Sequence, residues 1–143
     1  MILAIDPGKM NGWAIFNEDG ELVEFGQVHE DGLFDWLKTK TQNLSTIVIE
    51  DYILYKKKAM KQSGSDMVAS RVIGRVEMFA SLVGAKLVKQ KADILPTAQK
   101  LSGYKMPSDH SISHQFSAIN HGIYWLIKQG RRKSALERGD VTL

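Results

Sequence analysis

Cysteine is absent from these 143 residues, which excludes disulfides and thiolate metal sites. Any metal bound here must be held by oxygen or imidazole. No apolar run approaches the roughly 20 residues needed to span a bilayer. No basic stretch and apolar core precede the first strand-like segment at Ile2. The expectation is a soluble, cytoplasmic protein with no membrane association. Internal repeats and linker-like stretches are also missing, so residues 1–143 are expected to form a single domain. A strong charge imbalance is lacking too: 19 Lys and Arg against 16 Asp and Glu leave +3, which permits a polyanionic partner without demanding one.

What is present is a succession of short apolar runs with recognisable punctuation. Ile2-Leu3-Ala4-Ile5 ends on Asp6, and Pro7-Gly8 turns the chain into a second run from Gly12. The Asp19-Gly20 pair joins strands expected over 12–17 and 21–29. Leu33, Phe34 and Leu37 at helical spacing mark a helix over 31–42, and Thr46-Ile47-Val48-Ile49 forms a fourth strand ending on Glu50. Val68, Val72, Val76, Phe79 and Val83 form the core stripe of a crossover helix opened by Ser65 or Asp66 and stopped by Gly84. A fifth strand is expected over 86–90, then a helix over 92–101 despite Pro96, a loop over 103–109 and a last helix over 111–129. On that last helix Phe116, Ile119, Ile123, Leu126 and Ile127 share one side, while His114, Ser117 and His121 share the other.

This order is the one expected of an α/β ribonuclease H-like fold: a five-stranded mixed sheet, three strands antiparallel and the rest parallel, flanked by helices. In it the first and fourth strands are neighbours, which brings Asp6 and Glu50 to one sheet edge. Asp6 alone reads equally as a turn cap before Pro7 or as a ligand. Beside Glu50 the ligand reading gains, because two close carboxylates raise a pKa or recruit a cation, and oxygen ligands favour Mg²⁺ or Mn²⁺. Two such ions about 4 Å apart activate water and stabilise the leaving oxygen in phosphodiester cleavage. The pairing suggests a nuclease. Asp51 would point to the other sheet face and is a second-choice ligand. His110 and His121 read as structural histidines.

The segments Ile2 to Gly8, Val48 to Tyr52, Gln62 to Ser65, Arg71 to Gly74 and His114 to His121 together resemble the RuvC-type Holliday junction resolvases, above all their compact bacteriophage branch. The resemblance implies a homodimeric, metal-dependent endonuclease that nicks opposing strands of four-way DNA junctions, acting in a host cytoplasm if phage-encoded. It makes Asp6 and Glu50 metal ligands and sets His114 beside the metals as ligand, proton donor or water positioner. It also exposes a departure, because the pattern HxxDA has become HxxSA and Ser117 stands where an Asp is expected. A serine hydroxyl adds no charge to offset divalent ions. Three explanations follow: a variant using His114 with Asp109 or Asp51, a weak nuclease that still binds junctions, or a substitution that stops cleavage.

Lys56, Lys57, Lys58 and Lys61 follow the fourth strand and would contact phosphates without reading sequence. Arg71 and Arg75, one helical turn apart, extend that track or else pair with Asp66 or Glu77. Tyr52 or Tyr55 offers a ring for bases opened at the junction, where stacking contributes about 1–3 kcal/mol per base. Arg131, Arg132 and Lys133 form another basic run, read equally as solvated surface. The crossover helix is the expected dimer interface. The competing readings are a junction-binding protein that does not cleave and a YqgF-like nuclease of the same fold acting on RNA. Actin-like and sugar-kinase ATPases begin similarly but need a second lobe that 143 residues do not hold.

Overall fold

The computed structural model describes residues 1–40, 42–51, 64–105 and 107–140. Strands β1 (Ile2–Asp6), β2 (Met10–Phe16) and β3 (Leu22–His29) form an antiparallel meander. Helix α1 (Glu30–Thr39) leads to β4 (Thr46–Asp51), which lies parallel to β1. Helix α2 (Gly64–Val83) crosses over to β5 (Lys86–Lys91), parallel to β4. The sheet order β3-β2-β1-β4-β5 is the expected ribonuclease H-like arrangement. None of the described helices is long and apolar enough to cross a membrane.

Strand alternation divides the core in two. Leu3, Ile5, Trp13, Ile15, Ile47 and Ile49 face α1 and α2, where Leu33, Leu37, Val72, Val76 and Phe79 meet them. Ile2, Ala4, Ala14, Phe16 and Val48 face the opposite way, against Ile119, Ile123 and Leu126 of α4 (Ser113–Lys128). Continuing the alternation, Asp6 and Glu50 belong to the α4 face, whereas Asp51 belongs to the α2 face.

Several expectations need correction. Phe34 is exposed, with the Lys38 ammonium over its ring, so the buried stripe of α1 is Leu33 and Leu37 alone. Helix α1 stops at Thr39, and β2 begins two residues earlier than expected, at Met10. Pro96 does not interrupt a helix: a 3₁₀ turn over Ala92–Ile94 precedes α3 (Leu95–Ser102), and Pro96 sits in its first turn, where a missing N–H costs nothing. A 3₁₀ turn over His110–Ile112 likewise precedes α4. Both sides of α4 are buried: Asn120 lies toward α3, whereas His121, completely buried, faces β4 and β5 of the sheet.

After α4 comes a helix the sequence reading did not anticipate, α5 (Ala135–Arg138), opened by a reciprocal Ser134–Glu137 capping box. The basic run before it braces a turn. Arg131 donates to the Glu18 carbonyl and carboxylate at 2.8 Å each, and Arg132 donates to the Gly20 carbonyl at 2.8 Å. This turn closes the β2–β3 hairpin at the end opposite Asp6, since Phe16 pairs with Ile2. Arg131 and Arg132 are therefore remote from the candidate site.

Candidate active site

The site begins with the turn after β1. Asn11 is fully buried, accepts a hydrogen bond from the Gly8 amide at 3.1 Å and donates to the Val28 carbonyl at 3.2 Å. That clamp holds Pro7-Gly8 in place and with it the end of β1. Helix α4 then arrives over the rim. Gly12, paired with Asp6 across the hairpin, lies so close to α4 that a Cβ on it would fall 1.9 Å from the His114 carbonyl oxygen. Buried Asn120 ties α4 to α3 through Ser102 at 2.5 Å and the Tyr104 carbonyl at 3.3 Å.

These constraints bring His114 Nδ1 to 3.1 Å from Asp6 Oδ2. Ser117 Oγ donates a long hydrogen bond, 3.4 Å, to Glu50 Oε2. All four residues named from the sequence as catalytic, Asp6, Glu50, His114 and Ser117, thus meet at the C-terminal ends of β1 and β4. Asp109, offered as an alternative ligand, instead caps the turn before α4, accepting from the Ser111 amide at 2.9 Å and its hydroxyl at 2.7 Å.

His121, read from the sequence as structural, is completely buried beside Glu50. Its Nε2 lies 3.5 Å from Glu50 Oε2, and its Nδ1 is 2.9 Å from Gln90 Oε1 on β5. It stands one turn beyond Ser117 on the same face of α4, and that spacing was the available signal. Asn11 and Gln90 carried no comparable signal, because an isolated amide in a strand has no periodicity to betray it.

The electrostatics are those of two carboxylates forced together. Burial, followed by the charge of Glu50, pushes Asp6 up to about 6, although the hydrogen bond to His114 opposes the rise. Burial also acts upward on Glu50, but His121, Asp6 and Ser117 outweigh it and hold Glu50 below the usual carboxylate range. The hydrogen bond to Asp6 raises His114. Among the described residues no three His, Asp or Glu side chains converge on a point as they stand. Mg²⁺ does not require such convergence, since it binds through one or two carboxylates plus water and substrate phosphate. Asp6 and Glu50 fit that demand.

Of the expected DNA contacts, Tyr52, Tyr55, Lys56, Lys57, Lys58 and Lys61 lie outside the described residues. Arg71 and Arg75 are half-exposed on α2 and reach Glu30 rather than Glu77; the Asp66 side chain lies outside the described residues. Arg71 forms a two-pronged contact to Glu30 at 2.9 and 3.1 Å, and Arg75 approaches the same carboxylate at 3.8 Å. Glu77 pairs with Lys89 instead. The Glu30 amide donates to the Lys9 carbonyl in the β1–β2 turn, so these arginines border the same rim as Asp6.

No protein-family model matches this sequence, and no curated protein matches it. Solved structures do. The fold is similar to T. thermophilus RuvC in complex with a Holliday junction substrate, with a TM-score of 0.63, 12% identity, and coverage of 93% of this chain and 98% of that one. It is also similar to the Fowlpox virus resolvase bound to Holliday junction DNA, with a TM-score of 0.58, 14% identity, and coverage of 90% of this chain and 99% of that one. The fold is therefore the ribonuclease H-like fold.

Proposed function

We propose that this chain is a divalent-metal-dependent endonuclease that binds and nicks four-way or other branched DNA junctions. The observation that carries the reading is the meeting of Asp6, Glu50 and His114 at one sheet rim, in a fold that two junction-bound resolvases share. Mg²⁺ or Mn²⁺ held there would supply an activated water and stabilise the oxygen that leaves the phosphorus. Asp6 and Glu50 would hold the cations and lose their mutual repulsion in doing so. His114, with Nδ1 engaged by Asp6 and 43% of its side chain exposed, presents its other nitrogen to the substrate and delivers a proton to the departing oxygen.

Lys56, Lys57, Lys58 and Lys61, which follow β4 in sequence, are our candidates for phosphate contacts, with Arg71 and Arg75 continuing the track along α2. Tyr52 and Tyr55 are the candidates for stacking on opened bases. The partner copy is placed on α2. Met67, Met78 and Leu82 are each about two-thirds exposed on the side of α2 turned from the sheet, and Gly74 among them has open space above it, which permits close helix approach. A two-fold dimer matches the approximate two-fold symmetry of a four-way junction.

Annealed four-way junctions and linear duplexes, offered with Mg²⁺, Mn²⁺ or chelator, test the reading. We expect metal-dependent nicks in opposed strands of the junction, and binding without nicking for Asp6→Asn and Glu50→Gln. Equal binding to both DNAs would overturn it. Ser117 supports one other reading, a junction binder that does not cleave: tight junction binding without nicks, unchanged in Ser117→Asp, would establish that instead.

A further inference from the structure

His121 is completely buried, and among the described residues its Nε2 is a buried side-chain nitrogen left without a hydrogen-bond partner. Such an atom is costly unless something fills its lone pair or takes its proton. Its other nitrogen is engaged: Nδ1 lies 2.9 Å from Gln90 Oε1, an acceptor, so the ring proton belongs on Nδ1. Nε2 is the ring atom left without a partner, held 3.5 Å from Glu50 Oε2 between α4 and the sheet. A cation placed between Nε2 and Oε2 would be held by both.

From this we infer that His121 Nε2 is a metal ligand, forming with Glu50 a two-residue bite that takes the place of the acid missing at Ser117. The inference deepens the metal-site reading above and rests on it. Two atoms each about 2.1 Å from a common ion lie roughly 3.0–3.4 Å apart, so the observed separation needs little adjustment. Histidine ligands characteristically donate their remaining N–H to a fixed acceptor, and Gln90 is that acceptor. Ser117, one turn earlier on the same face, touches the same Glu50 oxygen and contributes a hydrogen bond rather than a charge. Replacing a carboxylate by an imidazole shifts the site away from Mg²⁺ and toward softer ions such as Mn²⁺, Co²⁺ or Zn²⁺.

The test titrates the full chain without DNA with Mn²⁺ by calorimetry and, in parallel, with Co²⁺ by proton NMR. Gln90→Leu is expected to weaken Mn²⁺ binding about 10- to 100-fold, and His121→Asn at least as much. With Co²⁺, wild type should show a paramagnetically shifted imidazole N–H that exchanges slowly with solvent, because Nδ1–H is buried against Gln90; that resonance persists in His114→Ala. The NMR readout uses the wild-type chain, so it stands even if His121→Asn fails to fold. Metal affinity unchanged in both variants, with no slowly exchanging shifted N–H, would overturn the role of His121 while Glu50→Gln still abolishes binding. No metal binding by wild type at all would overturn the metal site itself.

Discussion

His114 Nδ1 and Asp6 Oδ2 lie 3.1 Å apart although 108 residues separate them in the chain. The contact depends on a third residue, because α4 reaches the end of β1 only where Gly12 lacks a side chain. A Cβ there would meet backbone, the His114 carbonyl carbon at 2.1 Å and the Gln115 amide at 2.6 Å, and backbone cannot swing aside. Gly12→Ala should therefore cost about 3 kcal/mol or more in urea unfolding and weaken metal binding as α4 lifts. Wild-type stability in that variant would show that α4 does not rest on Gly12.

The pH dependence of stability has a calculable sign. Asp6 titrates at about 6 in the folded protein against 3.8 when unperturbed, so its contribution is fully present below 3.8 and lost as pH rises through about 6. His114 acts in the same sense, contributing below its ordinary 6.5 and losing that contribution as pH passes its raised value. Asp6→Asn removes both, and in chelator its stability relative to wild type should rise by on the order of 2 kcal/mol between about pH 4 and about pH 8. Glu50 has the opposite sign: its contribution is present above 4.5 and lost as pH falls. Urea titrations at the two pH values decide the matter, and a pH-independent difference for Asp6→Asn contradicts the assignment.

Divalent ions should stabilise the folded chain. Ligand at 100 times its Kd adds about 2.7 kcal/mol, which thermal melts detect readily. Mn²⁺ is expected to raise the Tm of wild type and not that of the Asp6→Asn, Glu50→Gln double variant. Equal shifts in both would place the ion elsewhere.

Placing an acid on α4 should have two linked effects. Ser117 is almost fully buried and 3.4 Å from Glu50, so Ser117→Asp adds a third carboxylate beside Asp6 and Glu50 and should destabilise the metal-free chain by about 1–3 kcal/mol. Saturating Mg²⁺ should recover that loss and increase junction nicking over wild type. Greater stability without metal would contradict the repulsion on which the expectation rests.

The dimer assignment predicts that Met78→Glu combined with Leu82→Glu leaves the fold intact, since both side chains are mostly exposed, but shifts the mass in light scattering from dimer to monomer. A monomeric wild type would remove α2 as the interface.

Much of this arrangement was legible in the chain because periodicity reports which face a residue occupies. The alternation that set Asp6 with Ile2 and Ala4, and Glu50 with Val48, also set Asp51 apart from them, as the two core layers bear out. The helical spacing of Val72, Val76 and Phe79 was equally informative. Phe34 misled because one apolar side chain at the margin of an amphipathic stripe costs little when exposed, so the pattern there is weakly constrained.

By itself, then, the sequence determined the element order and the placing of Asp6 and Glu50 at the ends of neighbouring strands, because these follow from local hydrophobic patterning. Only the tertiary structure decided what the histidines and arginines do. His121 meets Glu50 and Gln90, Arg71 meets Glu30, and Arg131 braces Glu18. Long polar side chains carry no periodic signal about their partners; those partners are set by which distant backbones pack side by side.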